Sequence, residues 1–367
     1  MKNRAGSIVI LSPFENGWTG RGSRYVDLAN KLVSEGWEIT YVTSDFDHAR
    51  KSPVDRSEPS ALDSKVDVVV VEIPCYSGNV SLRRVFANIV FSLRSLQFLK
   101  TRSYDCALAT STPAELTYVL RRIKARNKVC DVRDIWPDAF YAYPISGVRR
   151  VVRLMFALYC NALYRLFLSK RYFYWLVAPS FLPWLKRFVD LSHGRWKFLP
   201  LGFSFLDWRE VRGIQGDKPG LACYGGGLTA QFDPHDLPDL PGWRVDVYGS
   251  GPYSDRWIAK FPSAVLKGVV SRSEFMDAAS RADVLLFPSN PFARLPNKAF
   301  DYLALGVPVL LGARVSRDAR WVLGLRSRGN SVGLRDQHRE TYRALSKDFV
   351  TSKMVRILGA LRARGGY

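Results

Sequence analysis

Cysteine, histidine and acidic residues are all scarce in this 367-residue chain. The five cysteines are odd in number and form no CxxC pair, which argues against a disulfide framework and a thiolate zinc site. A reducing cytoplasm is the expected compartment. Four histidines and no His/Cys/carboxylate cluster leave a metal centre without an evident ligand set. Long hydrophobic runs are missing too. No stretch reaches the roughly 18–20 uncharged apolar residues that a spanning helix needs. Segment 85–99 is interrupted by Asn88 and Arg94, and 151–168 by Arg153, Asn161 and Arg165. The first apolar run, Ile8 to Leu11, is too short for a signal-peptide core and reads as a buried strand. There is no low-complexity tract and no repeat.

What is present is enough for two cores. Apolar residues make up 47% of the chain and aromatics 13%, which rules out a largely disordered protein, and the length suits two domains. The 54 basic residues outnumber 33 acidic ones, for a net charge of +21. Such a balance points to polyanionic partners: nucleic acid, anionic lipid headgroups or phosphorylated small molecules. The charge is concentrated. Residues 83–187 hold 19 basic and five acidic residues, and Ala139 to Val189 has no acidic residue but fourteen aromatics.

The pattern alternates strands with helices. SIVILSPF (7–14), EITYVTS (38–44), KVDVVVVEIP (65–74), DCALATS (105–111) and NKVCDVRD (127–134) read as buried strands, with RYVDLANKLVSEGW (24–37) as a helix stopped at Gly36. A second series follows: GLACYGGG (220–227), RVDVYGSG (244–251), SAVLKGVV (263–270), ADVLLFPS (282–289) and VPVLLG (307–312), with helices over 271–282 and 297–306. Such alternation predicts parallel sheets covered on both faces. The expected fold class is α/β, two Rossmann-like domains facing across a cleft. The expected boundaries are 1–201 for the first domain, 202–219 for a linker, 220–340 for the second domain and 341–367 for a C-terminal helix that packs back.

Three constellations could carry chemistry. The glycines of TGRGSRYVDL (19–28) sit between the first strand and helix, either as a ligand-facing loop or as a plain tight turn; their spacing is not that of a dinucleotide fingerprint. DVRDIWPDAF (131–140) ends a strand with Arg133 and Asp134 where open sheets face their ligands. Asp134 is placed there as a base or hydroxyl-orienting group, or else Arg133 pairs on the surface with Asp131 or with Asp134. Lys298 and Asp301 share one face at the start of the helix in LPNKAFDYLALGVPVLLG, either as a diphosphate and ribose site or as a surface ion pair. Asp45-Phe46-Asp47 has a metal-binding spacing that arises often by chance.

These residues resemble a known family. LPNKAFDYLALGVPVLLG is similar to the signature of GT-B glycosyltransferases, family four in particular, whose branch making bacterial surface polysaccharides carries Pro-Ser-Lys-x-x-Glu-Tyr there. DVRDIWPDAF resembles that branch's Asp-x-Arg-Asp-x-Trp-Pro, VDVYGSGPY (245–253) its Gly-x-Gly-Pro turn, and KFLPLGF (197–203) the opening of its linker. The order is kept over nearly the whole chain. The resemblance implies a metal-independent, retaining hexosyltransferase with no cofactor beyond its nucleotide-sugar donor. It implies donor binding by Gly226, Gly227, Gly249, Gly251, Asn297, Lys298 and Asp301, and an acceptor side formed by Gly20, Gly22, Arg133 and Asp134. Asp134 and Lys298 are the expected catalytic pair. The family's first signature glutamate is replaced by Ala293, and Arg294 is the cation available beside it.

ISGVRRVVRLMFALYCNALYRLFLSKRYFYWL (145–176) reads as one long basic, apolar helix, and 83–102 has the same character. Such surfaces suit a lipid interface, or serve as core helices with solvated charges. The expected partners are therefore a nucleotide sugar, a polyprenyl-diphosphate-linked or other lipid-linked acceptor, and an anionic membrane surface. The expected location is the inner face of the cell membrane, held peripherally. Two rival functions are a nucleotide-sugar isomerase on the same fold and a basic nucleic-acid-binding protein. For the latter no recognised module or stacking platform is present, and no nucleic acid is expected.

Overall fold

A computed structural model describes residues 6–18, 24–48, 50–57, 59–78, 81–142, 147–204, 220–289, 295–327 and 343–363. The chain forms two compact units, one of Met1–Asp138, Gly147–Pro200 and Val350–Tyr367, the other of Ala139–Ser146 and Leu201–Phe349.

The first unit is built on a seven-stranded sheet. Its strands are β1 (Gly6–Leu11), β2 (Trp37–Ser44), β5 (Asp67–Val71), β6 (Ser103–Thr110), β7 (Lys124–Val132), β8 (Phe173–Leu176) and β9 (Trp196–Phe198). A separate two-residue antiparallel pair joins β3 (Phe46–Asp47) and β4 (Ser52–Pro53). The sheet runs β5-β2-β1-β6-β7-β8-β9, parallel throughout. Both faces of a parallel sheet are buried, so β1 and β6 are apolar runs without alternation. Helices α1 (Arg24–Ser34), α2 (Leu82–Leu99), α3 (Glu115–Arg122), α4 (Val148–Phe167) and α5 (Phe181–Leu185) belong to this unit.

The last described helix, α10 (Lys347–Ala363), has most of its length in the first unit. Val350, Met354, Val355 and Leu358 lie in one apolar cluster with Ile8, Ile10, Trp37 and Leu199. The basic aromatic segment 145–176 is not one helix. It ends at Phe167, and Phe173–Leu176 forms β8 instead. The aromatics there are pulled into the sheet, where Tyr174 and Trp175 are fully buried.

The second unit carries a five-stranded parallel sheet, ordered β12-β11-β10-β13-β14. Its strands are β10 (Leu221–Gly225), β11 (Arg244–Tyr248), β12 (Ala264–Gly268), β13 (Val284–Phe287) and β14 (Val309–Leu311). Helices α6 (Ser254–Lys260), α7 (Arg272–Ser280), α8 (Asn297–Leu305) and α9 (Arg317–Ser327) connect or follow them. Ser271 and Glu274 close a reciprocal capping box that fixes where α7 starts. At the other end of its own helix, Gly306 ends α8 with φ 66°, the left-handed conformation that turns the chain back toward β14. In both units strand order reverses beside the first strand of the sheet, and the carboxyl ends of the strands at such a reversal form a crevice for ligands.

Candidate functional site

In the second unit that crevice lies beyond β10. The loops after β10 and β11 are hydrogen-bonded backbone to backbone: Gly226 N donates to Tyr248 O at 2.9 Å and Leu228 N to Ser250 O at 3.0 Å. Glycine is required for this approach. A Cβ on Gly249 would collide with the carbonyl oxygen of Gly226, and its φ is 131°. Gly226 is restricted from the other side, because a Cβ there would sit 2.6 Å from Lys298 Nζ, and its φ is 139°. Gly227 is different: an added Cβ would meet only Thr229 at 3.6 Å.

Lys298, in the first turn of α8, is half-buried and folded over two aromatic rings. Its Nζ lies 3.5 Å from the Phe232 ring centre and 4.1 Å from that of Tyr224, and it donates to Tyr224 Oη at 2.7 Å. The Tyr224 hydroxyl in turn donates to Gly227 O at 3.0 Å. A chain of contacts thus runs from the ammonium to the glycine loop. Burial holds Lys298 well below the usual lysine range, and Asp301 acts in the opposite direction. Asp301, one turn along α8, accepts from Arg272 Nη2 at 2.6 Å. The N-cap of α8 is Pro296, which supplies no side-chain cap, and Asn297 is exposed beside it. The Lys298 amine, glycine-loop backbone and the positive end of a helix dipole therefore converge, an arrangement suited to phosphate oxygens, whose charge would favour the protonated lysine.

In the first unit the carboxyl ends of β1 and β7 hold a buried ionic network. Asp131, with no exposure, accepts from Arg24 Nε at 2.8 Å and from Tyr25 Oη at 2.9 Å. Arg24 also donates to the carbonyls of Pro200 at 2.8 Å and Leu199 at 3.1 Å. Arg133 pairs with Glu15, whose other oxygen accepts from Tyr25 N at 2.9 Å. Neither Asp131–Arg133 nor Arg133–Asp134 is the pair formed. Asp134 instead accepts from Ile135 N at 2.9 Å and Trp136 Nε1 at 2.8 Å, and burial raises its proton affinity despite those bonds. Its two oxygens are thus oriented by its own loop. Of the Asp45-Phe46-Asp47 pair, Asp45 accepts from Ile73 N and Asp47 from Arg50 N, so both carboxylates tie the loops after β2.

Several solved structures resemble the chain over nearly its full length. WaaG, described as a glycosyltransferase involved in lipopolysaccharide biosynthesis, is 13% identical with a TM-score of 0.58, over 97% of this chain and 94% of that one. A glycosyltransferase from Rickettsia africae ESF-5 is 12% identical with a TM-score of 0.55, over 98% and 99%. The glycotransferase of kitacinnamycin is 14% identical with a TM-score of 0.52, over 98% and 99%. The chain has the GT-B fold. No family model and no curated protein matches the sequence.

Within this fold, Gly226, Gly249 and Lys298 come together, Gly251 packs on the backbone of Leu228, and Asp301 stands one turn from the lysine on α8. Gly20, Gly22 and Arg294 lie outside the described residues, as does Ala293. Sequence reading missed Tyr224, Phe232 and Arg272, which meet Lys298 and Asp301. It also missed Glu15 as the partner of Arg133, 118 positions away. The one local signal was Tyr224, an aromatic directly before three glycines. Ser289, just past β13, is held by Asp236 and accepts from Arg314 N at 2.7 Å, an anchoring that no spacing announced.

Proposed function

We propose that this protein is a glycosyltransferase that moves a hexosyl group from a nucleotide-sugar donor, held by the second unit, to a hydroxyl of a lipid-linked glycan acceptor handled by the first. The observation that carries the reading is the Lys298 ammonium stowed against Tyr224 and Phe232, 2.6 Å from where a side chain on Gly226 would begin. Glycosyl transfer requires a leaving diphosphate to be stabilised as its bond to the sugar breaks. Lys298, turned from Tyr224 toward the departing phosphate and held protonated by its charge, would supply that stabilisation together with the helix-end dipole. Asn297 and Arg294 flank the same helix start in sequence, and Asp301 is the candidate acceptor for ribose hydroxyls. Asp134 is the candidate for orienting the acceptor hydroxyl and taking its proton, and its raised proton affinity supports that role. The sugar is transferred with retention and without a metal in this reading.

The lipid-linked acceptor and a peripheral membrane location are supported by the faces of α2 and α4 turned to solvent. Leu82, Phe86, Leu93 and Phe98 are exposed on α2, and Leu154, Met155, Leu158 and Leu166 on α4. Exposed Arg83, Arg94, Arg150 and Arg165 punctuate them. Basic residues around an apolar stripe bind anionic lipid surfaces. Among the described residues no helix is long and apolar enough to cross a membrane. Polysaccharide synthesis at the inner face of a bacterial membrane is the process that fits such a donor and acceptor.

The test is titration with nucleoside diphosphates and their sugars, followed by thermal shift, since a ligand of the folded state stabilises it. Lys298→Ala should weaken binding by on the order of 1.5–3 kcal/mol, the value of a hydrogen bond to a charged group. Unchanged affinity would remove the lysine from the donor site. Turnover of the donor alone, without an acceptor, would favour an isomerase.

A further inference from the structure

The first unit carries an open groove at the outer edge of its sheet. The seven strands are parallel, so their carboxyl ends share one side of the sheet. Trp196, which lines the groove, is the first residue of β9, the last strand in the order, and so lies toward the amino ends. The opposite wall is Lys186 and the chain from Phe188 to Ser192, in the loop after α5. The groove is therefore set apart from the Asp131 and Asp134 loops, which leave the carboxyl end of β7. Its volume is about 630 Å³, within the range of small-ligand sites.

The walls are anchored from behind. Trp196 is half-buried and pairs with Tyr174 of β8, whose backbone N donates to Arg195 O at 2.8 Å. The Phe188 ring packs on Tyr164 at 5.3 Å and on Trp184 at 5.1 Å between centres. Asp190 accepts from Ser192 N at 3.0 Å with one oxygen and from Ser192 Oγ at 3.1 Å with the other. Those two bonds hold its carboxyl below the usual carboxylate range, so it is ionised at neutral pH.

Aromatic and polar surface thus face one space. Large amphipathic rings offer broad apolar contact, which suits the C–H face of a sugar ring. Each Asp190 oxygen keeps a lone pair beyond its Ser192 bond, and the Ser192 hydroxyl, having given its proton to Asp190, still accepts. Exposed Lys186 donates. Sugar hydroxyls are donors and acceptors at once and match such a set. Polyanions do not, because an ionised carboxylate in the groove repels them even though the whole chain carries +21.

We infer that this groove binds a neutral stretch of sugar chain through Trp196, Phe188, Lys186 and Asp190, as a glycan-holding site separate from the place of transfer. The class of ligand rests on the glycosyltransferase reading. An acceptor held by two contacts has a higher effective concentration at the second than a free one.

The probes are maltohexaose, cellohexaose and mannohexaose, each titrated calorimetrically into the full-length protein. Saturable binding of at least one is expected, weakened at least tenfold by Trp196→Ala and at least threefold by Asp190→Asn. Lys298→Ala and Asp134→Asn should leave it unchanged. Where Trp196→Ala does not fold, Asp190→Asn and Lys186→Ala decide. Absence of binding by all three probes, or affinity unchanged in the folded variants, overturns the inference. Binding lost with Asp134→Asn but kept in Trp196→Ala assigns the sugar to the acceptor side and also overturns it. So does binding of a heparin hexasaccharide in place of the neutral probes, or a dimer that Trp196→Ala dissociates without any sugar binding. Failure of the glycosyltransferase reading is visible separately, as nucleotide-sugar affinity indifferent to Lys298→Ala.

Discussion

The Tyr224 hydroxyl is the smallest group whose removal should be felt in donor binding. It accepts from Lys298 and donates to Gly227 O, so it couples the ammonium to the loop. Tyr224→Phe keeps the ring under the lysine and deletes only that link. A net hydrogen bond is worth roughly 0.5–1.5 kcal/mol. Donor affinity should therefore fall by a few-fold to about tenfold, measured by titration, with the melting temperature little changed. Glu115 gives a second test at this scale, in stability against pH. Its folded pKa of about 7 lies above the ordinary glutamate value, so its stabilisation is fully present below that ordinary value and is lost as pH rises through 7. Glu115→Gln should match the wild type near pH 5 and exceed it at pH 8 by about 2–3 kcal/mol, read from denaturant melts. His48 has the opposite sign: its pKa is lowered, so its contribution is lost as pH falls. The difference between variant and wild type at each pH isolates Glu115. Of these residues only Lys298 and Gly227 were named beforehand, from a helix-start motif and a glycine loop. The partners of Lys298 come from β10 and the turn beyond it, and a side chain that meets its neighbour across 74 positions leaves no local trace.

Among the elements, the two glycine loops give a paired comparison. Gly249→Ala would force a Cβ into the Gly226 carbonyl at a φ of 131°, whereas Gly227→Ala has room. The first should cost on the order of 1–3 kcal/mol and displace the turn against Lys298. The second should change the melting temperature little. Scanning calorimetry of both variants checks the contrast. The strands of both sheets were legible as apolar runs because parallel strands are buried on both faces. The exceptions were β9, a three-residue strand at the end of the sheet, and β8. Its aromatics follow directly on a basic amphipathic helix, and helical periodicity reads straight through Ser169 to Arg171, where the chain turns. Arg133 was equally opaque. Three carboxylates lie near it in sequence, yet the folded partner is Glu15, because β1 and β7 deliver their loops to the same edge of the sheet.

At the scale of the molecule, the excess positive charge and the uncovered apolar residues of α2 and α4 belong to the same unit. Replacing Leu154 and Met155 with Glu removes apolar contact and adds negative charge where both side chains already face solvent. Vesicle sedimentation should drop severalfold while the thermal melt stays as it was, because no core contact is lost. Attachment of the wild type should weaken with added salt as the electrostatic share is screened.

The position of α10 has a consequence for how the protein is made. A ribosome delivers the seven strands of the first sheet early, but Met354 and Leu358, which complete the cluster around Ile8 and Trp37, arrive only after the second unit has been synthesised. Until then the cluster around Ile8 and Trp37 lacks the side chains that close it. The later-made half is thus free to reach its native state first, and a nascent chain halted before residue 347 would be a client for chaperones.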